Sequence, residues 1–211
     1  MSEAVARALI EIGAVGFSPQ NPITFKSGIV SPVYVDNRRL PYHPAQWQVV
    51  IEGFKNIIET DAIEFDVIAG VAVGGVPHSS ALGYAMERPS VFVRKEAKGH
   101  GKGQRVEGGD IDGNTVLLVE DLVTTGGSSL SGVEALRNEG AVVDTLIAIV
   151  SYGFKEAQDN FEQASVTLKT LTNFQTILQV ALGMEKFGQA EHDIIADWFS
   201  DPHGWASRHG L

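Results

Sequence analysis

Apolar residues recur at helical spacing in two segments near the start of the chain. In residues 4–12, one helical face is formed by Ala4, Val5, Ala8, Leu9 and Ile12. Residues 47–58 repeat this pattern shortly after Pro44, a residue type favoured in the first turn of a helix. Between the two predicted helices, ITFKSGIVSPVYVDNRRLPYHP mixes β-branched residues with glycine and proline, which is typical of short strands and turns. The first 42 residues are therefore expected to form a small subdomain.

From residue 65 onward, apolar runs alternate with helical stretches. The runs FDVIAG, SVFVR, NTVLLVE and AVVDTLIAIVSY predict strands, and helices are predicted at 76–88, 127–139 and 154–163. Strands that are apolar throughout are buried on both faces, and repeated strand–helix units favour a parallel sheet. After about residue 165, we predict a strand at VTLKTL and helices near 172–182 and 188–199. The pattern indicates one α/β domain spanning residues 1–211, with its core at about 43–164.

Composition restricts the classes of function. The 211 residues carry a net charge of −10, which disfavours general binding to nucleic acid or anionic membranes. The chain has no cysteine, which excludes disulfides and thiol nucleophiles and is compatible with a reducing cytosol. Residues 67–86 lack charged side chains, but Pro77 and four glycines interrupt them, so a strand, loop and helix explain them better than a membrane span. No secretory signal is recognised, and we expect a cytoplasmic protein.

Positive charge is concentrated in one segment, RKEAKGHGKGQR, at residues 94–105. This segment carries +4, whereas the rest of the chain carries −14. Glycines at three alternate positions give its backbone freedom to move. Such a segment is usually a solvated surface loop, but it also suits the binding of a polyanion, and Lys102 and Arg105 are interpreted as charges that steer one.

The segment VLLVEDLVTTGGSSL, residues 116–130, indicates the class of ligand. An apolar strand ends in Glu120 and Asp121, and a helix opens at Gly126 after a short loop. Ligands of open α/β sheets collect at the carboxyl ends of strands, where helix N-termini bind phosphate. Two carboxylates beside a phosphate would repel an anion, but they suit the hydroxyls of a ribose. We therefore predict a ribose 5-phosphate site, although a strand, glycine turn and helix cap without a ligand would have the same pattern.

This segment resembles the phosphoribosyl pyrophosphate (PRPP) signature of the type I phosphoribosyltransferases. Three more stretches resemble the orotate phosphoribosyltransferase family within that class. FKSGIVSPVYVD resembles its hood segment, RKEAKGHG its mobile catalytic loop, and GVAVGGVP its pyrophosphate loop. With the tail SYGFKEAQDNFEQA, the resemblance covers nearly the whole chain.

The resemblance implies a fold, an activity and partners. The fold is a central, mostly parallel sheet flanked by helices, with a small hood formed by about 1–42 and part of 165–211. The activity is the magnesium-dependent transfer of ribose 5-phosphate from PRPP to orotate, in a homodimer whose catalytic loop reaches the neighbouring active site. Two alternatives stay open, namely a purine-type phosphoribosyltransferase and a non-catalytic PRPP-binding regulator.

The resemblance also assigns roles to residues. Contacts with orotate fall on Lys26, Tyr34, Val35 and Thr124. Catalytic roles fall on Lys98, His100 and Asp121. The residues assigned to PRPP and its pyrophosphate are Val73, Gly74, Arg94, Lys95, Lys98, His100, Glu120, Asp121, Leu122, Val123, Thr124, Thr125, Gly126, Gly127 and Ser128. No direct metal ligand is assigned, because magnesium is expected to bind mainly through PRPP.

Two further expectations concern the basic segment and the base. The basic segment is predicted to be disordered without ligand and ordered over PRPP. Some bacterial members of the family grip the orotate carboxylate with an arginine after the strand that corresponds to AIVSY, where this chain has Ser151, Tyr152 and Gly153. We hypothesise that Arg38 or Arg39 replaces that charge.

Overall fold

The computed structural model describes residues 1–25, 28–96 and 104–210. Lys26, Lys98 and His100, and with them most of the basic segment, lie outside the described residues. Within the three described ranges, every helix is too short or too polar to cross a membrane. The predicted strand, loop and helix over 67–86 are confirmed.

The first 42 residues contain a helix and short strands, as predicted, and the strands form two small antiparallel pairs. Their elements are α1 (Ser2–Glu11), β1 (Val15–Phe17), β2 (Ile23–Thr24), β3 (Val30–Ser31), β4 (Val33–Val35) and a 3-10 helix (Asn37–Tyr42). β1 pairs with β4 and β2 pairs with β3, both antiparallel.

The remainder alternates strands and helices. Its elements are α2 (Pro44–Thr60), β5 (Val67–Val71), α3 (Gly75–Met86), β6 (Ser90–Val93), β7 (Val106–Glu107), β8 (Val116–Val123), α4 (Gly127–Asn138), β9 (Thr145–Ser151), α5 (Lys155–Gln163), β10 (Thr167–Asn173), α6 (Phe174–Gly183), α7 (Gln189–Ser200) and α8 (Trp205–Arg208). The strands form a six-stranded sheet in the order β10-β9-β8-β5-β6-β7. All neighbours in it are parallel except β6 and β7, which confirms the predicted mostly parallel α/β fold.

Both faces of the sheet are buried, and β8 shows how. Its residues Leu117 and Val119 face an apolar cluster that includes residues of α1, α2, α6 and α7. The alternate residues Val116 and Leu118 face a second cluster that includes residues of α4 and α5. Since successive side chains of a strand point to opposite faces, this explains why the predicted strands are apolar throughout.

Two strand boundaries and one short strand differ from the predictions. β8 continues past the acid pair because Leu122 and Val123 pair with Val150 and Ser151 of β9, so both acids lie inside the strand. β9 begins only at Thr145, and Val142 forms just an isolated bridge with Thr115. The two-residue strand β7 was not predicted, because its apolar pattern is too short to recognise.

The C-terminal tail packs on the N-terminal strand pairs. The indole Nε1 of Trp198 in α7 donates a hydrogen bond to the carbonyl oxygen of Val30, at 2.8 Å. Phe25 makes an edge contact with Trp198, and the ring centroids of Phe17 and Phe187 are 4.5 Å apart. These contacts join the N-terminal strand pairs to the tail, and the boundaries of the hood and core stay predictions.

A partly buried hydrogen bond between α2 and α3 positions the start of α3. Trp47 Nε1 donates to Nδ1 of His78 over 2.9 Å. Burial lowers the pKa of His78 to about 4, so its imidazole is neutral and accepts this bond at physiological pH. The preceding segment, 72–75, is thereby held at the carboxyl end of β5.

Candidate active site

The acid pair of β8 lies next to the segment that follows β5. Because β5 and β8 are parallel neighbours, their carboxyl ends meet at one edge of the sheet. A β-carbon on Gly74 would overlap the Asp121 carboxyl, and one on Gly75 would overlap the carbonyl oxygen of Val119. Val73 is 78% exposed beside them. Gly74, assigned to pyrophosphate, therefore lies against Asp121, assigned to ribose, and Val73 precedes it.

The two acids have different surroundings. Glu120 is 4% exposed, accepts a hydrogen bond from Ser129 Oγ at 3.3 Å and accepts the Asp121 N–H at 3.0 Å. Burial, reinforced by the charge of Asp121, raises the pKa of Glu120 well above its usual range. Burial also raises the pKa of Asp121. Since the carboxyls have lost much of their water, hydroxyl donors from a ribose would stabilise their ionised forms.

The segment 124–128, which we call the phosphate loop after its predicted role, joins β8 to the first turn of α4. Gly126 has φ +86°, a left-handed conformation that glycine adopts readily, and α4 begins at the next residue. Gly127 and Ser128 are exposed, and the first N–H groups of a helix have no partner within it. With the hydroxyls of Thr124 and Thr125, these groups can bind a phosphate.

Helix α5 supports the phosphate loop through two residues that the sequence analysis did not identify. Asn160 Nδ2 donates to the carbonyl oxygen of Thr125 at 3.0 Å. The ring of Phe161 lies 2.9 Å from where a β-carbon on Gly126 would be. These contacts join residues 35 positions apart, and no local pattern in 154–163 indicates them.

The N-terminal subdomain reaches the same site through the 3-10 helix. Asn37 is fully buried, and its Nδ2 donates to the carbonyl oxygen of Asp121 at 2.6 Å. Tyr34, assigned to orotate, is 39% exposed in β4 shortly before it, and Val35 is partly exposed. The sequence analysis did not identify Asn37 either, because its partner is 84 residues away.

The ends of the basic segment are fastened to each other and to α4. The Arg94 N–H donates to the Arg105 carbonyl oxygen, and Arg105 Nε donates to that of Arg94, each at 2.8 Å. Arg105 Nη1 donates to the carbonyl oxygen and Oγ of Ser131, each at 3.0 Å. Glu139 Oε1 accepts the Arg105 N–H at 2.9 Å. Arg105 thus has an anchoring role beyond the steering charge predicted for it.

The assigned residues are therefore only partly brought together. The pyrophosphate segment, the acid pair and the phosphate loop meet at one edge of the sheet. Leu122 and Val123 pair with β9 and hold that edge in place. Arg94 forms an ion pair with Glu107 at 3.3 Å, and Lys95 is exposed beside it.

The oxygen ligands at the site are few. Among the described residues, no group of three or more histidine or acidic side chains could hold a metal ion. Glu120 and Asp121 alone fall short of the roughly six oxygens that magnesium requires. This donor set fits a magnesium ion that takes most of its oxygen ligands from a bound phosphate ester.

Comparison with known proteins agrees with this geometry. The phosphoribosyl transferase domain matches residues 38–181. The orotate phosphoribosyltransferase of Staphylococcus saprophyticus is 39% identical over 198 residues, which cover 94% of this chain and 98% of that protein.

Two solved structures resemble the fold. Orotate phosphoribosyltransferase from Aeropyrum pernix superposes with a TM-score of 0.76 and 31% identity, over 87% of this chain and 99% of that one. UMP synthase from Leishmania donovani superposes with a TM-score of 0.83 and 26% identity, over 94% of this chain but 42% of that longer one. With the acid pair and phosphate loop at the expected edge of the sheet, these matches show that the chain belongs to the orotate phosphoribosyltransferase family.

Proposed function

We propose that this protein transfers ribose 5-phosphate from PRPP to orotate, giving orotidine 5′-monophosphate and pyrophosphate. The observation that carries the proposal is the close approach of the Asp121 carboxyl to the Gly74 backbone, in the strand that leads directly into the phosphate loop. PRPP has its ribose between a 5-phosphate and a pyrophosphate. The three groups thus match three adjacent features along one edge of the sheet.

The phosphate loop and the acid pair would fix the sugar. The 5-phosphate binds the N–H groups at the start of α4 and the hydroxyls of 124–128. The 2′ and 3′ hydroxyls donate to Glu120 and Asp121. Asn160 and Asn37 hold the two parts of this site in register through Thr125 and Asp121. The reacting carbon is thereby presented to both the leaving group and the base.

The reaction separates charge, and the site has charges to match. The bond from C1 of the ribose to the pyrophosphate oxygen breaks with its electron pair going to that oxygen. A ring nitrogen of orotate forms the new bond to C1 and loses its proton, which passes to pyrophosphate or to water. The ionised Asp121 stabilises positive charge on the ribose. Arg94 and Lys95 offset negative charge on the pyrophosphate, and bound magnesium would supply further positive charge there.

Lys98 and His100 complete the proposed chemistry, although both lie outside the described residues. Lys98 offsets charge on the leaving oxygens. His100 has an imidazole, whose usual pKa of about 6.5 permits it to donate a proton to them.

A homodimer with shared active sites is part of the proposal. Its test mixes two inactive variants, Lys98→Ala and Asp121→Asn. If each active site combines the loop of one subunit with the acid pair of the other, the mixture regains activity that neither variant has alone. A mixture that stays inactive although the subunits exchange contradicts the shared site.

A cytoplasmic location is supported by the absence of cysteine.

One assay tests the choice of base. The protein is supplied with PRPP, magnesium and either orotate, uracil, adenine, guanine or hypoxanthine, and pyrophosphate release is followed. We expect release with orotate alone. Release with a purine instead indicates a purine-type transferase, and PRPP binding without release with any base indicates a regulator.

A further inference from the structure

The proposed reaction brings three anionic groups to the site, and one of them still needs a cation. The 5-phosphate binds at the start of α4, and the charge of the pyrophosphate is offset by Arg94 and Lys95. The remaining anion is the carboxylate of orotate. This inference rests on the proposed function, and it concerns which described side chain recognises that carboxylate.

The structure separates the two candidate arginines. Arg39 Nη1 donates to the carbonyl oxygen of Gly13 at 2.8 Å, and the same atom lies 3.3 Å from where a β-carbon on Gly13 would be. Arg39 is therefore engaged in fastening the 3-10 helix to the turn after α1. The guanidinium of Arg39 therefore faces the backbone of the N-terminal subdomain.

Arg38 has a different environment. Its side chain is 66% exposed, and its Nε donates to Asp36 Oδ1 at 2.6 Å. Among residues 1–25, 28–96 and 104–210, the Arg38 guanidinium makes no other hydrogen bond. Its Nη1 and Nη2 can therefore bind a ligand. An arginine held through Nε presents its two terminal nitrogens side by side, the geometry that binds a carboxylate in a bidentate manner.

Arg38 also lies beside the predicted ribose subsite. Its neighbour Asn37 is bonded to the Asp121 carbonyl oxygen at 2.6 Å, so the backbone at this point is fixed to β8. The pKa of Arg38 is raised, mainly by its hydrogen bond to Asp36. The negative charge of Asp121 also contributes to this rise, so the charges of Arg38 and Asp121 interact. Tyr34 and Val35, to which the resemblance assigns contacts with the base, end β4 shortly before Arg38 in the chain. A ligand between these residues and the ribose would reach Arg38.

We propose that Arg38 is a specificity-determining residue that binds the carboxylate of the pyrimidine substrate through Nη1 and Nη2. Asp36 acts as a positioning residue that holds the guanidinium through Nε. The expected ligand is thus a planar six-membered heterocycle with an anionic substituent, and the same ring without that substituent is a poor substrate.

The test compares wild-type protein with Arg38→Ala, Arg38→Lys and the matched control Arg39→Ala. Steady-state kinetics are measured with orotate and with uracil, which is the same ring without the carboxylate, at a temperature at which all four proteins are folded. For Arg38→Ala we expect KM for orotate to rise by about 10–100-fold, the range given by one charge-assisted contact. KM for PRPP should stay within about twofold, and the preference for orotate over uracil should fall by a similar factor. Arg38→Lys should recover part of the loss, and Arg39→Ala should keep the wild-type KM for orotate.

Three results would overturn the inference. Arg38→Ala with a wild-type KM for orotate removes Arg38 from the subsite. An equal rise in KM for PRPP places Arg38 on PRPP instead. A wild-type protein that does not use orotate overturns the proposed function, and the inference with it. The wild-type measurement thus distinguishes failure of the proposed function from failure of the role of Arg38 alone.

Discussion

Gly74 and Asp121 are packed so closely that a β-carbon on the glycine would overlap the carboxyl group of the aspartate. The contact joins the segment after β5 to the acid pair of β8. It therefore sets the distance between the site assigned to pyrophosphate and the site assigned to ribose. The bond that breaks in the proposed reaction lies between those two groups of PRPP.

Gly74→Ala tests this contact. The added methyl group would displace the Asp121 carboxyl or the loop, and misplacement of a reacting group by about 1 Å is able to cost ~100-fold in rate. We expect kcat/KM for PRPP to fall by about that factor while the protein stays folded. Gly183→Ala is the control, since no atom lies within 4 Å of its added β-carbon. Wild-type kinetics for Gly74→Ala would show that the close approach is not needed.

Glu120→Gln is expected to raise stability while it weakens PRPP binding. Burial raises the pKa of Glu120, so the folded protein holds this proton more tightly than the unfolded chain. Raising the pH through that raised pKa therefore destabilises the wild-type fold, whereas glutamine has no proton to lose.

The measurement is the free energy of unfolding at several pH values. We expect Glu120→Gln to be more stable than wild type at pH 8, because ionisation of the buried carboxyl costs free energy in the folded protein. The gain should shrink as the pH falls toward the usual carboxyl value of 4.5. Glu134→Gln, on the exposed face of α4, should show no such gain. A gain that is independent of pH would contradict the assigned cause.

Asn160→Asp tests the support of the phosphate loop by α5. The amide donates to the carbonyl oxygen of Thr125, whereas a carboxylate there would repel both that oxygen and a bound phosphate. A hydrogen bond contributes about 1 kcal/mol, so we expect KM for PRPP to rise about fivefold with Asn160→Ala and further with Asn160→Asp. Gln158→Ala, exposed on the same helix, should match wild type. Equal kinetics for all four proteins would remove α5 from the site.

Arg105→Lys separates anchoring from steering. Lysine keeps the positive charge but lacks the planar fork that contacts the Arg94 carbonyl oxygen and Ser131. If Arg105 anchors the segment, Arg105→Lys and Arg105→Ala should both lose about 1–3 kcal/mol of unfolding free energy. Ser131→Ala, which keeps its carbonyl oxygen as an acceptor, should lose less. A lysine variant as stable as wild type would favour steering as the role of Arg105.

The sequence predicted those parts of the site whose residues are close along the chain. The acid pair and the phosphate loop fall within nine residues, 120–128, and glycines and hydroxyls that follow a buried strand in this way are typical of a phosphate site. Apolar runs likewise predicted four strands of the parallel sheet, β5, β6, β8 and β9, because strands buried on both faces have an unbroken apolar pattern.

The remaining contacts depend on which strands are neighbours. Asn37 and Asp121 are 84 residues apart, and a local pattern has no information about such a pairing. The same holds for Asn160 and Thr125, and for the choice between Arg38 and Arg39. The short strand β7 and the extension of β8 to Val123 also result from pairing with neighbouring strands rather than from propensity.

The most direct test of the account is the formation of orotidine 5′-monophosphate from PRPP and orotate with magnesium, measured for wild type and for Asp121→Asn. We expect wild type to form the product. Asp121→Asn should be slower by about 100-fold or more, because it removes a charge that stabilises the transition state. A folded wild-type protein that forms no product, or an Asp121→Asn variant as fast as wild type, would contradict it.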